Sequence, residues 1–383
     1  MSVDRIARLR ELLEEPLLVT SSVNVRYLTA FDSSNAALLV EPEGARLYTD
    51  FRYIDRAREV EGVQAVETRR GLISWLSQKL SGRIGFEAHV LPYAFVEVLR
   101  EADIEVVPRS GLVEQLRAVK DASELYALRR ACAITDRVFE RLVTEVPFVG
   151  RRERDVAWEI TRLFHEEGAD GLAFESIVGS GPTGSGPHAH AGDRVIEAGE
   201  LVVIDTGCLV DGYSSDYTRT FATGPLDGEQ LEAYDVVLAA QQAGLDAIRA
   251  GVTGLDADAA ARRVIDDSPF EGRFGHGLGH GLGLDVHEAP RLSTESVDTL
   301  EPGNVVTVEP GIYVSGRFGV RIEDDVFVTE DGIENPVRFR KDLARRGRIV
   351  AGTRPPEKDH CPRPPSASVS LGRSEAPGGG CHD

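Results

Sequence analysis

Up to about residue 115, the chain alternates short apolar runs with amphipathic segments. Apolar positions three or four residues apart predict helices, here over 4–15, 52–60, 72–80 and 92–101. Short apolar runs between turn residues predict strands, here near 17–20, 83–87 and 104–107. Two further runs, 36–40 and 45–49, flank a Pro-Glu-Gly turn and predict a hairpin. Strands that alternate with helices predict an α/β domain over residues 1–116.

The pattern changes near residue 119, where a longer helical period begins. Apolar residues from Leu125 to Leu142 recur every three or four positions and predict a long helix, with Asp121 or Ser123 as its N-cap. Further helices are expected at 153–167, 229–250 and 256–267, and strands at 174–178, 201–205, 217–221, 305–309, 319–323 and 325–329. Helices grouped beside antiparallel strand pairs predict an α+β domain over residues 119–345.

The last segment, 351–383, has a different composition. It holds six of the 19 prolines, a Gly-Gly-Gly run and no aromatic residue. Such a segment cannot bury enough apolar surface to offset the entropy lost on ordering. We therefore predict a disordered tail.

Charge and cysteine content narrow the class of protein. The chain carries 63 acidic and 43 basic residues, a net charge of −20, which would repel nucleic-acid phosphates and anionic lipid. No apolar run approaches the length of a spanning helix, and the charged N-terminus is unlike a signal peptide. Four cysteines are too few for a disulfide framework, and Cys132 and Cys208 lie in apolar runs typical of buried residues. We predict a cytoplasmic protein with neither nucleic-acid nor membrane partners.

Histidine is concentrated in one part of the chain. Five of the nine lie between residues 188 and 287: His188, His190, His276, His280 and His287. Around the last three, glycine and histidine alternate from Gly275 to Gly283. The glycines predict that His280 lies on bare backbone with space for a bound group. A flexible loop with incidental histidines is the simpler alternative.

Four acids end apolar, strand-like runs: Asp205, Asp216, Glu309 and Glu323. An Asp-Gly turn between the first two predicts a hairpin that brings them together. A buried carboxylate needs a partner or a cation, although each acid alone could be an ordinary strand-end residue. Together with His280, the four predict a site for two divalent metal ions.

These residues resemble the pita-bread metallopeptidases, and more narrowly the Xaa-Pro peptidases aminopeptidase P and prolidase. The resemblance is carried by Asp205, Asp216 and the segments 180–189, 279–288, 306–313 and 320–325, with 21–31 and 48–53 resembling that group's smaller N-terminal domain. It covers about residues 1–345. It implies a pita-bread catalytic domain preceded by a smaller α/β domain.

The resemblance also implies a role for each ligand. Asp205 would chelate one metal ion, Asp216 and Glu323 would bridge both, and His280 and Glu309 would hold the second. Mn²⁺ or Co²⁺ is favoured, with Zn²⁺ or Fe²⁺ as alternatives. A metal-activated water would attack the scissile carbonyl.

Other residues near these ligands receive supporting roles from the same resemblance. Glu309 would also shuttle a proton, and His188 and His287 would bind the peptide or the tetrahedral intermediate. Arg321, two residues before Glu323, is expected to orient a ligand carboxylate. The remaining candidates for contact with ligands or substrate are His276, Thr218 and Thr307.

The function expected is hydrolysis of the bond before proline in short peptides, in a homodimer by family resemblance. The short N-terminal domain and its 51–53 segment favour an aminopeptidase P over a prolidase. One alternative is a hydrolase of a non-peptide amide, as in the creatinase and ectoine-hydrolase relatives. Another is a binding protein without activity. The relatives that represent these two alternatives lack some of the metal ligands. All five are present here, which argues against both alternatives.

Overall fold

The computed structural model describes residues 2–341. The predicted tail at 351–383 and the last four residues of the predicted 119–345 domain lie outside the described residues. Within residues 2–341, no helix is both long enough and apolar enough to cross a membrane.

The N-terminal part is built around one mixed sheet of six strands. In chain order they are β1 (Leu17–Val19), β2 (Ala36–Glu41), β3 (Gly44–Asp50), β4 (Gln64–Thr68), β5 (Arg83–Glu87) and β6 (Glu105–Arg109). Their order in the sheet is β4-β3-β2-β1-β5-β6. The accompanying helices are α1 (Ser2–Arg10), α2 (Ser22–Thr29), α3 (Ile54–Ala57), α4 (Leu72–Leu76), α5 (Tyr93–Arg100) and α6 (Glu114–Ala118).

Both faces of this sheet are buried. In β1, Leu17 and Val19 pack into one apolar cluster, which also holds Ile6 of α1. Leu18, between them, packs into a second cluster with Leu99 of α5. A strand covered on both faces is apolar at consecutive positions, which is why these runs show no polar alternation in the sequence.

The rest of the described chain is α+β, as predicted. Its helices are α7 (Ala122–Glu145), α8 (Glu153–Glu166), α9 (Gly228–Ala247) and α10 (Gly254–Asp266). Its first strands are β7 (Gly171–Leu172), β8 (Ile177–Ser180), β9 (Leu201–Thr206), β10 (Cys208–Val210), β11 (Tyr213–Ser214) and β12 (Tyr217–Ala222). They are followed by β13 (Gly279–Gly281), β14 (Glu288–Leu292), β15 (Val305–Val308), β16 (Gly311–Val314), β17 (Phe318–Arg321), β18 (Asp324–Val328) and β19 (Ile333–Glu334).

Three groups of antiparallel strands bring these strand ends together. Strand β9 lies between β8 and β12, and Asp205 of β9 is opposite Thr218 of β12. Strand β15 pairs with both β13 and β18, and a second hairpin joins β16 to β17. Glu323 links this hairpin to β12, since its N–H donates to the carbonyl of Thr218 at 3.1 Å.

Several elements differ from the prediction. The first helix ends at Arg10 instead of residue 15, the helices predicted at 52–60 and 72–80 are single turns, and β8 starts at Ile177, not at residue 174. Helix α2 was not predicted because its valines and tyrosine favour strand. It begins at an N-cap that overrides this preference: the side chain of Ser21 accepts from the backbone N–H of Asn24. Strands β4, β7, β13, β14, β16 and β19 were also missed, all of them five residues or fewer in length. The hairpin predicted at the Asp-Gly turn is present, formed by β10 and β11.

The long helix confirms the predicted cap. Asp121 accepts from the backbone N–H groups of Ser123 and Glu124, and the Glu124 side chain accepts from the N–H of Asp121. This reciprocal arrangement satisfies donors that the first turn of a helix leaves unpaired. Cys132 and Cys208 are free and fully buried, also as predicted.

Candidate active site

The four predicted acids meet at one cavity in the second part of the chain. Asp205 lies near the end of β9, Asp216 just before β12, Glu309 just after β15 and Glu323 between β17 and β18. The cavity has a volume of about 520 Å³. Its walls also contain the other cavity-facing candidates: His188, His276, His280, His287 and Arg321. His190 does not line it.

The potential ligand atoms lie close together. One ligand atom each from Asp216, His280 and Glu323 lies within 4.8 Å of the other two. Nε2 of His280 is 3.3 Å from Oε1 of Glu309 and 3.7 Å from Oδ2 of Asp216. These separations suit atoms that share a bound cation rather than atoms paired with one another.

His280 is oriented as a ligand would be. Its Nδ1 lies 3.1 Å from the carbonyl oxygen of Gly281, which can only accept a hydrogen bond. Nδ1 therefore carries the proton, and the lone pair of Nε2 faces the carboxylates. Burial, with the neighbouring His287 adding to it, lowers the pKa of His280 to about 4. The ring is neutral at physiological pH, as metal binding requires.

The acids crowd negative charge into a space away from water. Burial, followed by repulsion from Asp205 and other nearby carboxylates, raises the pKa of Asp216 well above its ordinary value. The pKa of Glu323 rises for the same two reasons, and burial raises that of Glu309 to about 8. Oδ1 of Asp205 is buried without a hydrogen-bond partner among the described residues. Three crowded acids and one unsatisfied oxygen fit divalent cations bound between them.

The predicted supporting residues contact these acids. Arg321 donates from Nη2 to Oδ2 of Asp205 at 2.6 Å and from Nε to Oγ1 of Thr218 at 2.9 Å. Thr218 in turn donates to Oε2 of Glu323 at 2.6 Å. Thr307 donates to Oε1 of Glu309 at 3.2 Å. Each contact orients a carboxylate at the cavity, as hydrogen bonds from neighbouring residues do for metal ligands.

His276 contacts a residue that sequence reasoning overlooked. Its Nε2 lies 3.0 Å from the hydroxyl of Tyr313, which also accepts from Nη1 of Arg321 at 2.9 Å. Burial lowers the pKa of His276 to about 4. Tyr313 thus connects His276 to the arginine that holds Asp205. Its only sequence signal was its place in the 306–313 segment.

A second overlooked residue lies behind Asp216. Asp325 is completely buried, and its Oδ2 accepts from the backbone N–H of Asp216 at 3.0 Å and from the thiol of Cys132 at 3.4 Å. The contact ties the segment that carries Asp216 to β18. In the sequence, Asp325 could not be told from a strand-end acid facing solvent.

His188 and His287 lie at the wall of the cavity with free ring nitrogens. Within residues 2–341, neither ring makes a hydrogen bond to another side chain or to the backbone. The ring centroid of His287 is 4.3 Å from that of His280. Both rings are therefore available to a ligand in the cavity.

The glycines around His280 were predicted to leave space for a bound group, but the structure gives another reason for them. A Cβ at Gly279 would lie 2.0 Å from the carbonyl oxygen of Thr307, and one at Gly281 would lie 2.1 Å from that of Ala289. The neighbouring backbone fills the places that a Cβ would take at these two glycines, whereas His280 itself lines the cavity. Glycine is needed because β14 and β15 approach β13 closely on both sides.

Gly279→Ala is expected to destabilise the protein by about 1–3 kcal/mol or more, because β13 must move away from β15. Gly275→Ala is the matched control, since a Cβ there would meet no atom within 4 Å and should change stability by no more than about 0.5 kcal/mol. Urea unfolding of both metal-free variants measures the difference. Equal stabilities would show that the close approach at β13 is not a constraint.

The metal-free protein is expected to lose stability as pH rises from about 7 to 9. Below about pH 7 the effect is opposed, because burial lowers the pKa values of His276 and His280 and the unfolded chain holds more protons on these two rings. The raised pKa values mean that Glu309, Asp216 and Glu323 hold more protons in the folded than in the unfolded chain between about pH 7 and 9. Their protonated forms stabilise the fold, and that contribution disappears as they ionise. We expect the melting temperature of chelated protein to fall by about 5 °C, and saturating divalent metal to abolish the fall. A fall of equal size with metal bound would contradict the account.

Comparisons with known proteins agree with this geometry. The model of metallopeptidase family M24 matches residues 126–330, and that of the creatinase/prolidase N-terminal domain matches residues 5–119. An uncharacterized peptidase of Bacillus subtilis is 40% identical over 85% of this chain and 94% of its own length.

Two solved structures are similar over nearly the whole described chain. The Xaa-Pro dipeptidase from Bacillus anthracis has a TM-score of 0.87 and 37% identity, covering 90% of this chain and 99% of that one. The X-Pro aminopeptidase from Thermotoga maritima has a TM-score of 0.80 and 32% identity, covering 87% and 98%. The M24 model matches more than half of the 383 residues, and the Bacillus subtilis relative is 40% identical over most of its own length. The chain therefore belongs to metallopeptidase family M24.

Proposed function

We propose that this protein is a metal-dependent Xaa-Pro peptidase that hydrolyses the bond before proline in short peptides. The observation that carries the proposal is the approach of Asp216, His280 and Glu323 within 4.8 Å, in a cavity that Asp205 and Glu309 also line. Family membership and the Xaa-Pro peptidases among the similar structures support the same activity.

The five residues Asp205, Asp216, His280, Glu309 and Glu323 would hold two divalent metal ions. Bound there, the ions would activate a water and stabilise the developing oxyanion. Asp216 and Glu323 would each contribute a carboxylate to the ions, since an oxygen of each lies within 4.8 Å of a ring nitrogen of His280 and both residues are buried. Four carboxylates and one imidazole favour Mn²⁺ or Co²⁺ over the alternatives Zn²⁺ and Fe²⁺.

Protein groups around the cavity supply the remaining chemistry. Glu309 would pass a proton to the leaving amine, as the family resemblance implies. In the metal-free protein, burial raises its pKa to about 8. His287 and His188, which line the cavity, would offer their ring nitrogens to the peptide or to the oxyanion. Arg321 orients Asp205 and, through Tyr313, connects to His276.

The preferred peptide length separates two forms of this function. The sequence favours an aminopeptidase P, and the similar structures include both a dipeptidase and an aminopeptidase. The test is a Mn²⁺-reconstituted assay with Xaa-Pro dipeptides, Xaa-Pro-Yaa tripeptides and creatine in parallel. We expect proline peptides to be cleaved and creatine to be untouched. Creatine turnover without peptide cleavage would overturn the proposal in favour of the non-peptide amide hydrolase.

Three further expectations belong to this proposal. The division of the chain between residues 116 and 119 is supported by the single sheet that β1–β6 form before it. A homodimer is expected from the family resemblance, and sedimentation velocity would measure it. A cytoplasmic location is expected from the sequence.

A further inference from the structure

A buried ion cluster joins the N-terminal part of the chain to the segment that carries His287. Arg117, at the end of α6, is 4% exposed. Its Nη2 donates to Oε1 of Glu288 at 2.6 Å and to Oδ2 of Asp285 at 2.7 Å. Lys120 adds a second cation, with its Nζ 3.4 Å from Oε2 of Glu288. Although burial alone would raise it, these two cations hold the pKa of Glu288 below its ordinary value.

The guanidinium of Arg117 is also hydrogen-bonded to the N-terminal part of the chain. Its Nη1 donates to Oδ1 of Asn24, a fully buried residue of α2, at 2.8 Å. Asn24 donates in turn to Glu87 and Glu114, at 2.6 Å each. Glu87 accepts the backbone N–H groups that follow β1, at 2.6 and 2.8 Å. A continuous chain of hydrogen bonds therefore runs from the end of this sheet to Glu288.

Glu288 controls the backbone beside His287. The turn 282–287 leaves β13 after Gly281 and returns at Glu288, and these two residues are paired across the strands. Inside the turn, the carboxylate of Glu288 accepts the N–H of Asp285 at 2.9 Å and packs so closely that a Cβ at Gly283 would lie 2.7 Å from it. Leu284 packs against the apolar cluster of the N-terminal part.

His287 has no comparable anchor of its own. Its side chain is exposed and, within residues 2–341, its ring accepts and donates no hydrogen bond. Its place beside His280 is therefore set by the turn, and the turn is held by Glu288 and Arg117. An error of about 1 Å in the placement of a reacting group can cost 10²-fold in rate.

We propose that Arg117 is a positioning residue: acting through Glu288, it fixes the turn that places His287, so that turnover depends on the N-terminal part of the chain. The inference rests on the proposed peptidase function for its catalytic half. Its structural half, the ordering of residues 282–288 by Arg117, does not depend on the proposed function. Arg117 touches neither the substrate cavity nor a candidate metal ligand.

The test compares Arg117→Gln with Arg5→Gln in the full-length, Mn²⁺-loaded protein. Arg5 is a matched control, because it joins α1 to the start of α7 through Asp121 and Glu124 but makes no contact with the turn. We expect Arg117→Gln to lower kcat by about 10- to 100-fold with KM changed less than about threefold, and to leave metal content intact. Arg5→Gln should keep the kcat of the native protein.

A double variant shows whether the loss passes through His287. In a His287→Ala background, Arg117→Gln should reduce kcat no further, because the group that it positions is already gone. Arg117→Lys keeps the charge but not the forked donors, so it should recover part of kcat, and it serves as the test if Arg117→Gln does not fold. Full additivity with His287→Ala, or equal losses in the Arg117 and Arg5 variants, would overturn the proposal.

Hydrogen exchange separates this inference from the proposed function. Arg117→Gln should speed amide exchange in residues 282–289, and Arg5→Gln should not. If the native protein cleaves no proline peptide, faster exchange confined to this turn would still establish the structural half. Unchanged exchange there would refute it whatever the activity.

Discussion

Asp205→Asn, Asp216→Asn and Glu323→Gln are each expected to abolish turnover, with losses of at least about 10³-fold, and to expel at least one metal ion. Under the proposed function, each change would remove one negative charge and a ligand oxygen from a site where bound cations would balance the repulsion between acids. A group that stabilises charge at the reacting centre is typically worth ~10²–10³ in rate, and the loss of a metal ion removes more. Metal analysis and turnover on the same preparations measure both effects.

Asp50→Asn is the control for these three variants. Asp50 is also a fully buried acid at the end of a strand, but it is paired with Arg52 in the N-terminal part of the chain. We expect it to retain its metal content and its turnover, although it is less stable. Two fully occupied metal ions in all three site variants would show that these residues are not ligands.

His280→Ala and His287→Ala are expected to fail in different ways. His280 turns an unprotonated Nε2 toward Glu309 and Asp216, so its removal should lower metal affinity and activity together. His287 lies beside it with no hydrogen-bond partner among the described residues. Its removal should leave both metal ions in place and lower kcat by ~10²–10³-fold. Both are measured by metal content and turnover at one pH.

The reverse pattern would exchange the two roles. If His287→Ala is depleted of metal while His280→Ala is fully loaded, His287 is the ligand. His190→Ala is the control, because this histidine comes from the same histidine-rich part of the sequence but does not line the cavity. It should match the native protein in both measurements.

The sequence could predict the residues of the site because their types are unusual for their places. An acid that ends an apolar strand is costly unless something pairs with it, and Asp205, Asp216, Glu309 and Glu323 all carry this signature. They do line one cavity. The longer helices could also be predicted from the sequence, because their apolar period persists over three or more turns.

What the sequence could not predict depends on pairing between distant segments. Tyr313 and Asp325 look ordinary in the chain and become part of the site only when β16–β17 and β18 dock against it. The glycines near His280 were noticed, but their cause, the approach of β14 and β15, exists only in the folded sheet. Arg117 received no role from the sequence, because its partner Glu288 lies 171 residues away.

The most direct test of the central claim is a metal titration of chelated protein, followed by hydrolysis of an Xaa-Pro peptide at each step. The arrangement of five ligands predicts no activity without metal, and activity that rises with added Mn²⁺ or Co²⁺ to a plateau at two bound ions per chain. Full peptide hydrolysis by protein stripped of metal would contradict the account, as would a loaded protein with two bound ions that cleaves no proline peptide.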